Sequence, residues 1–543
     1  MLTSGYLAGA CILAAIISHF IFHKREPTVI GFISGVLTVF SVEFLFFSII
    51  KRCGPVAAFI FVLRSLVFYL SSLAASIVAY RLSPWHPLAR YPGPFLARIS
   101  KWWTVYILLT GDRHKVLQRL HSTYGPWVRT GIPASADTLI TLVDRKEHSI
   151  RRRPWTRALS QDGLAGFASQ AQARIGQFVN IFRQKPCNKP VDLHYWLSLL
   201  LMDMIGDMGF SGGFETMSAA EDVDGWMEVL NIGAAVVAVL GQIPWLRDIV
   251  TLLPQKGPIE TFHLFSLGKV RQARANQGTA GIKKDILSVI VNEKHKGAEL
   301  TEQEAAADAS LLIASSLETT SQAITTLLRF VLADKDVLDR LRTEIDNVVS
   351  VDVDEIECSS LTELPYLDAC VQEALRIVPP APAGPPRSTG EGGAFIANEC
   401  VPSNTTVSVP TWTLHRDSAN FLHPDAFIPE RWLNSGLALL PHNSDAFIPF
   451  SVGYGACVGR RLALQNIKLI VCHLVRKFSI DIPKDFSLQA FDESYKVCPF
   501  TSSSNSNVSL SSILLFFRNE AYGSISPLWS NFLLEAEDSP TVN

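Results

Sequence analysis

One stretch constrains this chain more than any other. It is Phe447-Ile-Pro-Phe450-Ser-Val-Gly453-Tyr-Gly455-Ala-Cys457-Val-Gly459-Arg460-Arg461, a lone cysteine on a glycine-rich loop with an apolar helical pattern starting directly after it. Glycines let the backbone bring its N–H groups close to a sulfur, because they adopt conformations that other residues avoid. The helix start adds unpaired N–H groups and the positive end of a dipole, which favour a thiolate. A dry thiolate facing an open cavity suits a soft metal or haem iron. Taken alone, Cys457 fits better a buried, inert thiol beside a turn, the more common fate of a free cysteine. The rest of the chain has to decide between the two.

At 543 residues the chain is longer than one ordinary domain. Its 48 basic and 50 acidic side chains nearly cancel, so there is no basic footprint and nucleic acid is not indicated as a partner. Nine scattered cysteines form neither a CxxC pair nor a Cys/His cluster, which argues against a disulfide framework or a zinc site. Such cysteine usage fits a reducing cytosolic setting for the main domain.

The chain opens with apolar runs at 2–22, 28–50 and 54–80. Each is long enough to cross a hydrocarbon core of about 30 Å as a helix. No basic segment precedes the first run, which argues against a cleaved signal peptide. Glu43 and Arg64 lie inside the second and third runs, where charge is costly unless paired, and a Glu43–Arg64 pair between adjacent spans is one solution. With three spans, placing Lys24 and Arg25 on the cytosolic side puts everything after Tyr80 there too.

A stiff linker rich in proline follows, from Pro84 through Pro92-Gly93-Pro94. Beyond it, His148-Ser-Ile-Arg151-Arg152-Arg153-Pro154-Trp155-Thr-Arg157 reads as a basic helix whose indole N–H can help grip an anionic group, or as a solvated basic face. Residues 160–300 are mostly helical in pattern. The helix from about 301 to 332 carries Ser315-Ser316-Leu317-Glu318-Thr319-Thr320. There an acid beside an alcohol offers a proton source and a hydroxyl relay in apolar surroundings. Ser315 and Ser316 are expected to bond back to the preceding turn. Glu373 and Arg376, at i and i+3, share a helix face. Arg431, from Pro429-Glu-Arg-Trp432, completes a network that would hold the loop leading to Cys457.

These motifs, in this order and spacing, resemble the cytochrome P450 monooxygenases, and most closely the fungal microsomal enzymes of secondary metabolism. The resemblance covers residues 81–496. It implies a mainly α fold with small β-sheets, haem b between the long central helix and the Cys457 loop, and N-terminal transmembrane helices. It makes Cys457 the axial thiolate, with Phe450 packed near the sulfur and Gly453 and Gly459 shaping the loop. Trp155 and Arg387 become propionate contacts, Glu318 and Thr319 the proton-delivering pair, and Glu373, Arg376 and Arg431 a structural triad. It also implies electrons from NADPH through a separate reductase, cytochrome b5 as a second donor, and a lipophilic substrate such as a terpenoid or polyketide intermediate. Residues 1–80 would be the anchor in an endoplasmic reticulum membrane, 81–500 the cytosolic catalytic domain, and 501–543 a divergent low-complexity tail. The same scaffold also serves isomerases and desaturases, or a haem membrane protein without turnover.

Four features depart from the family pattern. Gly455 stands where a basic propionate anchor is usual, so the haem should be held loosely and Gly455→Arg should tighten it. The small pair before the acid is Ser315-Ser316, with Leu317 intervening. Only 23 residues lie between Gly131 and Trp155, several tens fewer than expected. After Lys496, a serine-rich run at 502–512 and the segment 513–517 replace a closing hairpin.

Overall fold

The computed structural model describes residues 2–24, 27–130, 142, 144–186, 189–243, 245–246, 249–250, 257–277, 285–292, 300–349, 355–433, 441–496 and 513–519. The short segment after Gly131 and the serine-rich run at 502–512 lie largely outside these residues.

Three helices open the chain, at Leu2–Lys24, Val29–Leu45 (continued by a π-helical turn, Phe46–Ile50) and Pro55–Leu82. Their outer faces are studded with exposed apolar side chains such as Phe20, Leu37 and Phe59, while polar side chains tie the helices together. Ser65 donates to Glu43 at 2.6 Å, Tyr69 donates to Ser18 at 2.8 Å, and His19 meets the Ser76 hydroxyl at 2.7 Å. Glu43 is therefore satisfied by Ser65, the neighbour of Arg64, so the hydroxyl takes the place expected of the charge pair. The segments Val29–Ile50 and Pro55–Leu82 are long and apolar enough to cross a membrane, and the first helix holds a shorter apolar stretch, Ala8–His23.

Beyond the anchor the molecule is a helical body organised on the long helix Glu302–Ala333, which spans about 48 Å at the usual helical rise. Its start is fixed by a capping box: Thr301 accepts from the Glu304 N–H, and the Glu304 carboxylate accepts from the Thr301 N–H. Glu302 and Glu304 also place negative charge at the positive end of the dipole. Ala305, Ala306 and Ala309 are fully buried, and such small side chains let neighbouring helices approach closely. Those neighbours include Leu193–Phe210, which is buried at nearly every position and capped by Asp192, and Pro258–Ala275.

Two further helices position the site. Arg145–Ala158 is capped by Asp144, which accepts from the Glu147 N–H, and is tied to the long helix by a buried, two-pronged Arg151–Asp308 pair with both bonds at 3.0 Å. Arg460–Lys477 follows the cysteine loop and buries Leu469, Ile470, Val471 and Cys472.

The sheets are small, as expected. Strands β2 (Arg387–Ser388) and β5 (Thr406–Val407) form one antiparallel pair, and β3 (Ala394–Ile396) and β4 (Glu399–Val401) form another. The third sheet runs β1 (Val191–Asp192), β7 (Leu514–Asn519), β6 (Phe478–Asp481). β7 falls inside the stretch expected to be tail. It pairs antiparallel with both β1 and β6 and buries Ile513, Leu515 and Phe517. Burial at 513, 515 and 517 fits the two-residue period of a strand. This segment thus belongs to the catalytic body rather than to the tail.

Candidate functional site

The cysteine loop turns where its glycine allows. Gly453 has φ +73°, a left-handed conformation in which other residues are strained. The Cys457 N–H donates to the Phe450 carbonyl at 2.8 Å, which closes the loop on itself. The Cys457 side chain has an accessible face, yet protein atoms crowd the sulfur enough for burial to act on it. A Cβ built on Gly459 would lie 3.9 Å from the Cys457 sulfur, an ordinary contact. Phe450 packs against the core and also receives the Arg460 guanidinium over its ring, at 5.6 Å.

The thiol itself differs from expectation. Burial pushes its pKa up, and the opposing pull of the Gly459 and Arg460 N–H groups and of the Arg152 and Arg460 charges does not overturn that. The loop alone thus favours the neutral thiol. A bound metal's own charge is what deprotonates a ligating thiol.

The anion-gripping cluster divides along its helix. Arg151 points inward to Asp308, and Arg153 and Arg157 are exposed. Arg152 is the cluster arginine whose charge acts on Cys457. Trp155 is 2 % exposed, and its indole N–H has no partner among the described residues. A buried donor left unpaired costs about 1–3 kcal/mol, so an acceptor is expected there. Arg387 donates to the Ser451 hydroxyl and the Gly455 carbonyl, both at 3.2 Å. Tyr454 lies among Arg145, at 4.7 Å from its ring, Arg387, at 5.7 Å, and His148, at 5.6 Å ring to ring. Burial, with the charges of Arg152 and Arg387, lowers the His148 pKa. These positive and donor groups beside the loop fit the carboxylates of a haem. Arg152 and His148 are additions to the residues singled out from sequence. Their spacing of four, which puts both on one helix face, was the available sign.

Gly455 also reads differently in the structure. A Cβ placed there would come within 2.6 Å of the Arg387 guanidinium. The volume of the absent basic side chain is already occupied by Arg387. Gly455→Arg would displace that group rather than restore a missing anchor.

On the long helix, the Ser316 hydroxyl bonds back to Leu312 at 2.8 Å, as expected, while the Ser315 carbonyl accepts from the Thr319 hydroxyl at 2.8 Å. Glu318 does not stand alone in apolar surroundings: it forms an ion pair with His194, at 3.6 Å, on Leu193–Phe210. Burial raises the Glu318 pKa, but the His194 partnership outweighs it and the net shift is downward.

The acid–arginine network is complete and fully buried. Glu373 accepts from Arg376 through both oxygens at 2.9 Å, from Arg431 at 2.9 Å, from the Ile428 N–H at 3.0 Å and from the Trp432 indole at 2.9 Å. His415 extends it. Its Nε2 accepts the Ile448 N–H at 2.9 Å, so the proton sits on Nδ1 and is given to the Arg376 carbonyl at 3.0 Å. Burial pushes the His415 pKa down to about 4, in keeping with that neutral tautomer. The chain is thereby tied from Glu373 to Ile448, two residues before the cysteine loop begins at Phe450. Trp432 was visible in sequence only as the last member of the Pro429–Trp432 motif, without a role.

The family description "Cytochrome P450" matches residues 90–498. "Cytochrome P450 67" of Uromyces fabae is 26% identical over 532 residues, which cover 89% of this chain and 95% of the relative. "Cytochrome P450 monooxygenase cpaH" of Aspergillus oryzae is 30% identical over 443 residues, covering 73% and 84%. "Tryprostatin B 6-hydroxylase" of Aspergillus fumigatus is 28% identical over 459 residues, covering 77% and 79%. The crystal structure of the cytochrome P450DA heme domain superimposes with a TM-score of 0.54 at 19% identity, covering 69% of this chain and 77% of that one. A second cytochrome P450 crystal structure gives 0.57 at 17% identity, covering 71% and 82%.

Proposed function

This chain belongs to the cytochrome P450 family, and from that premise we propose that it inserts one oxygen atom of O2 into an apolar terpenoid or polyketide intermediate of fungal secondary metabolism. The family is one of haem-thiolate oxidoreductases that draw electrons from a redox partner. When bound, the haem supplies the redox chemistry that activates dioxygen. The observation that carries the reading on this chain is the buried Trp155 indole, unpartnered among the described residues and on the same helix as Arg152 and His148.

Cys457 would ligate the haem iron from a loop fixed by its bond to Phe450. Trp155 and Arg387, joined by Arg152 and His148, meet the anionic edge of the haem. Thr319 and Glu318 hold protons on the long helix, and the Glu373–Arg376–Arg431 network keeps the approach to the loop in register. In this reading the apolar N-terminal helices hold the catalytic domain at the cytosolic side of an endoplasmic reticulum membrane, where a membrane-bound NADPH reductase, with cytochrome b5 as second donor, reaches it. Lipophilic substrates partition into the same membrane. Relatives named as monooxygenases, one of them a hydroxylase, support the reaction class.

The test is reconstitution of the full-length protein with reductase, NADPH and a panel of terpenoid and polyketide intermediates under 18O2. One labelled oxygen per product molecule is expected. A product isomeric with its substrate, or dehydrogenated and unlabelled, would replace oxygen insertion with isomerisation or desaturation.

A further inference from the structure

The pairing of Glu318 with His194 has consequences beyond holding a carboxylate still. His194 is 8 % exposed, yet it lies on the wall of a cavity of about 700 Å³ that also reaches Gln322, Thr325 and Tyr495. No residue of the 450–459 loop lines that cavity. The wall mixes apolar side chains such as Phe330, Val378 and Phe491 with three cationic ones, Lys115, Arg329 and Arg416, and three anionic ones, Asp425, Asp492 and Glu493. Arg329 pairs with Asp492 and Arg416 with Asp425. The imidazole therefore stands between this charged-rimmed cavity and the acid of the long helix placed beside Thr319.

We propose that His194 is a positioning and proton-relay residue that acts through Glu318, passing it protons drawn from this cavity. The step balances simply. The imidazolium gives its Nε2 proton to the Glu318 carboxylate and stays neutral as the Nδ1–H tautomer, and Glu318 passes one proton onward. The ring is then reprotonated at Nε2 by hydronium or a buffer acid entering from the cavity, which leaves water or the buffer base behind. The proposal rests on Glu318 and Thr319 being the proton-delivering pair.

The electrostatics support the geometry. Burial disfavours the His194 imidazolium, but Glu318, and then the charge of Asp192 at the helix N-cap, outweigh it and raise the pKa above the ordinary 6.5. From the long helix Glu318 and the Thr325 hydroxyl, at 3.5 Å, face the ring, while Tyr495 approaches Glu318 from the C-terminal segment. A histidine whose pKa is raised by an acid partner holds its proton more firmly than a free imidazole and can still exchange it with that acid.

The test uses full-length protein labelled with 13C at histidine Cε1, with the His194 resonance assigned by its loss in His194→Gln. In the wild type this resonance should titrate above 6.5, and in Glu318→Gln its midpoint should fall. An unchanged midpoint in Glu318→Gln overturns the proposal, whether or not the enzyme turns over. In the reconstituted enzyme, His194→Gln should release several-fold more hydrogen peroxide per NADPH consumed at unchanged haem content. It should also lose the alkaline limb of the wild-type pH profile. His194→Gln with wild-type coupling and an unaltered pH profile overturns the relay. Thr319→Ala separates the two readings: if it stays fully coupled, the acid–alcohol assignment itself has failed. If it uncouples while His194→Gln does not, only the relay has.

Discussion

At the scale of single residues, the site is a set of small accommodations around Cys457. Arg387 occupies the volume that a side chain at 455 would take, held by the Gly455 carbonyl and the Ser451 hydroxyl. Hydrogen bonds to a charged group contribute about 1.5–3 kcal/mol each, so dislodging the guanidinium is costly even though its side chain is flexible. Gly455→Arg should therefore accelerate haem loss by about tenfold, the equivalent of about 1.4 kcal/mol. Transfer of haem to an apo-globin acceptor measures this directly, and slower loss in Gly455→Arg would show that the site had been short of an anchor. From sequence, Gly455 reads as a simple deletion of charge. Nothing in the chain's order shows that Arg387, 68 positions earlier, fills the gap.

At the scale of elements, the Glu373 network decides whether the cysteine loop is delivered to the long helix at all. Two guanidinium groups are buried against one carboxylate. Removing the carboxylate's charge leaves them uncompensated, at a cost of about 3–5 kcal/mol. Glu373→Gln should lower unfolding stability by that order at neutral pH. Burial alone would raise the Glu373 pKa, but Arg376, and then Arg431, hold it below its ordinary 4.5. The wild-type advantage is thus in place above 4.5 and is lost as pH falls through the lowered folded value. Denaturant melts of both proteins across this range should converge in acid, and a difference independent of pH would exclude the charge as its cause.

Legibility follows contact range. Glu373 and Arg376 are one helical turn apart, and the loop from Phe450 to Gly459 is continuous, so local spacing exposes both. The His194–Glu318 pair joins helices 124 positions apart, and only packing brings them together. Strand β7 was hidden for a different reason: a serine-rich run precedes it, and its partners β1 and β6 are supplied from elsewhere in the chain.

At the scale of the whole molecule, an apolar N-terminal bundle precedes a helical body whose cofactor cradle is assembled from four separate helices and one loop. The bundle is held by polar contacts such as Ser65 to Glu43 and His19 to Ser76, so the anchor is a packed unit in its own right. In the body, Arg145–Ala158 supplies donors, Glu302–Ala333 supplies the acid and alcohol, Pro365–Ile377 supplies the brace and Arg460–Lys477 follows the thiol. All of this converges on one claim, that Cys457 binds haem iron as a thiolate even though burial raises the pKa of the free thiol. The carbon monoxide difference spectrum of the reduced full-length protein tests it most directly. A strongly red-shifted Soret band is expected in the wild type, and its loss in Cys457→Ala. A wild-type spectrum without that shift, or a shifted band that survives Cys457→Ala, would contradict the account.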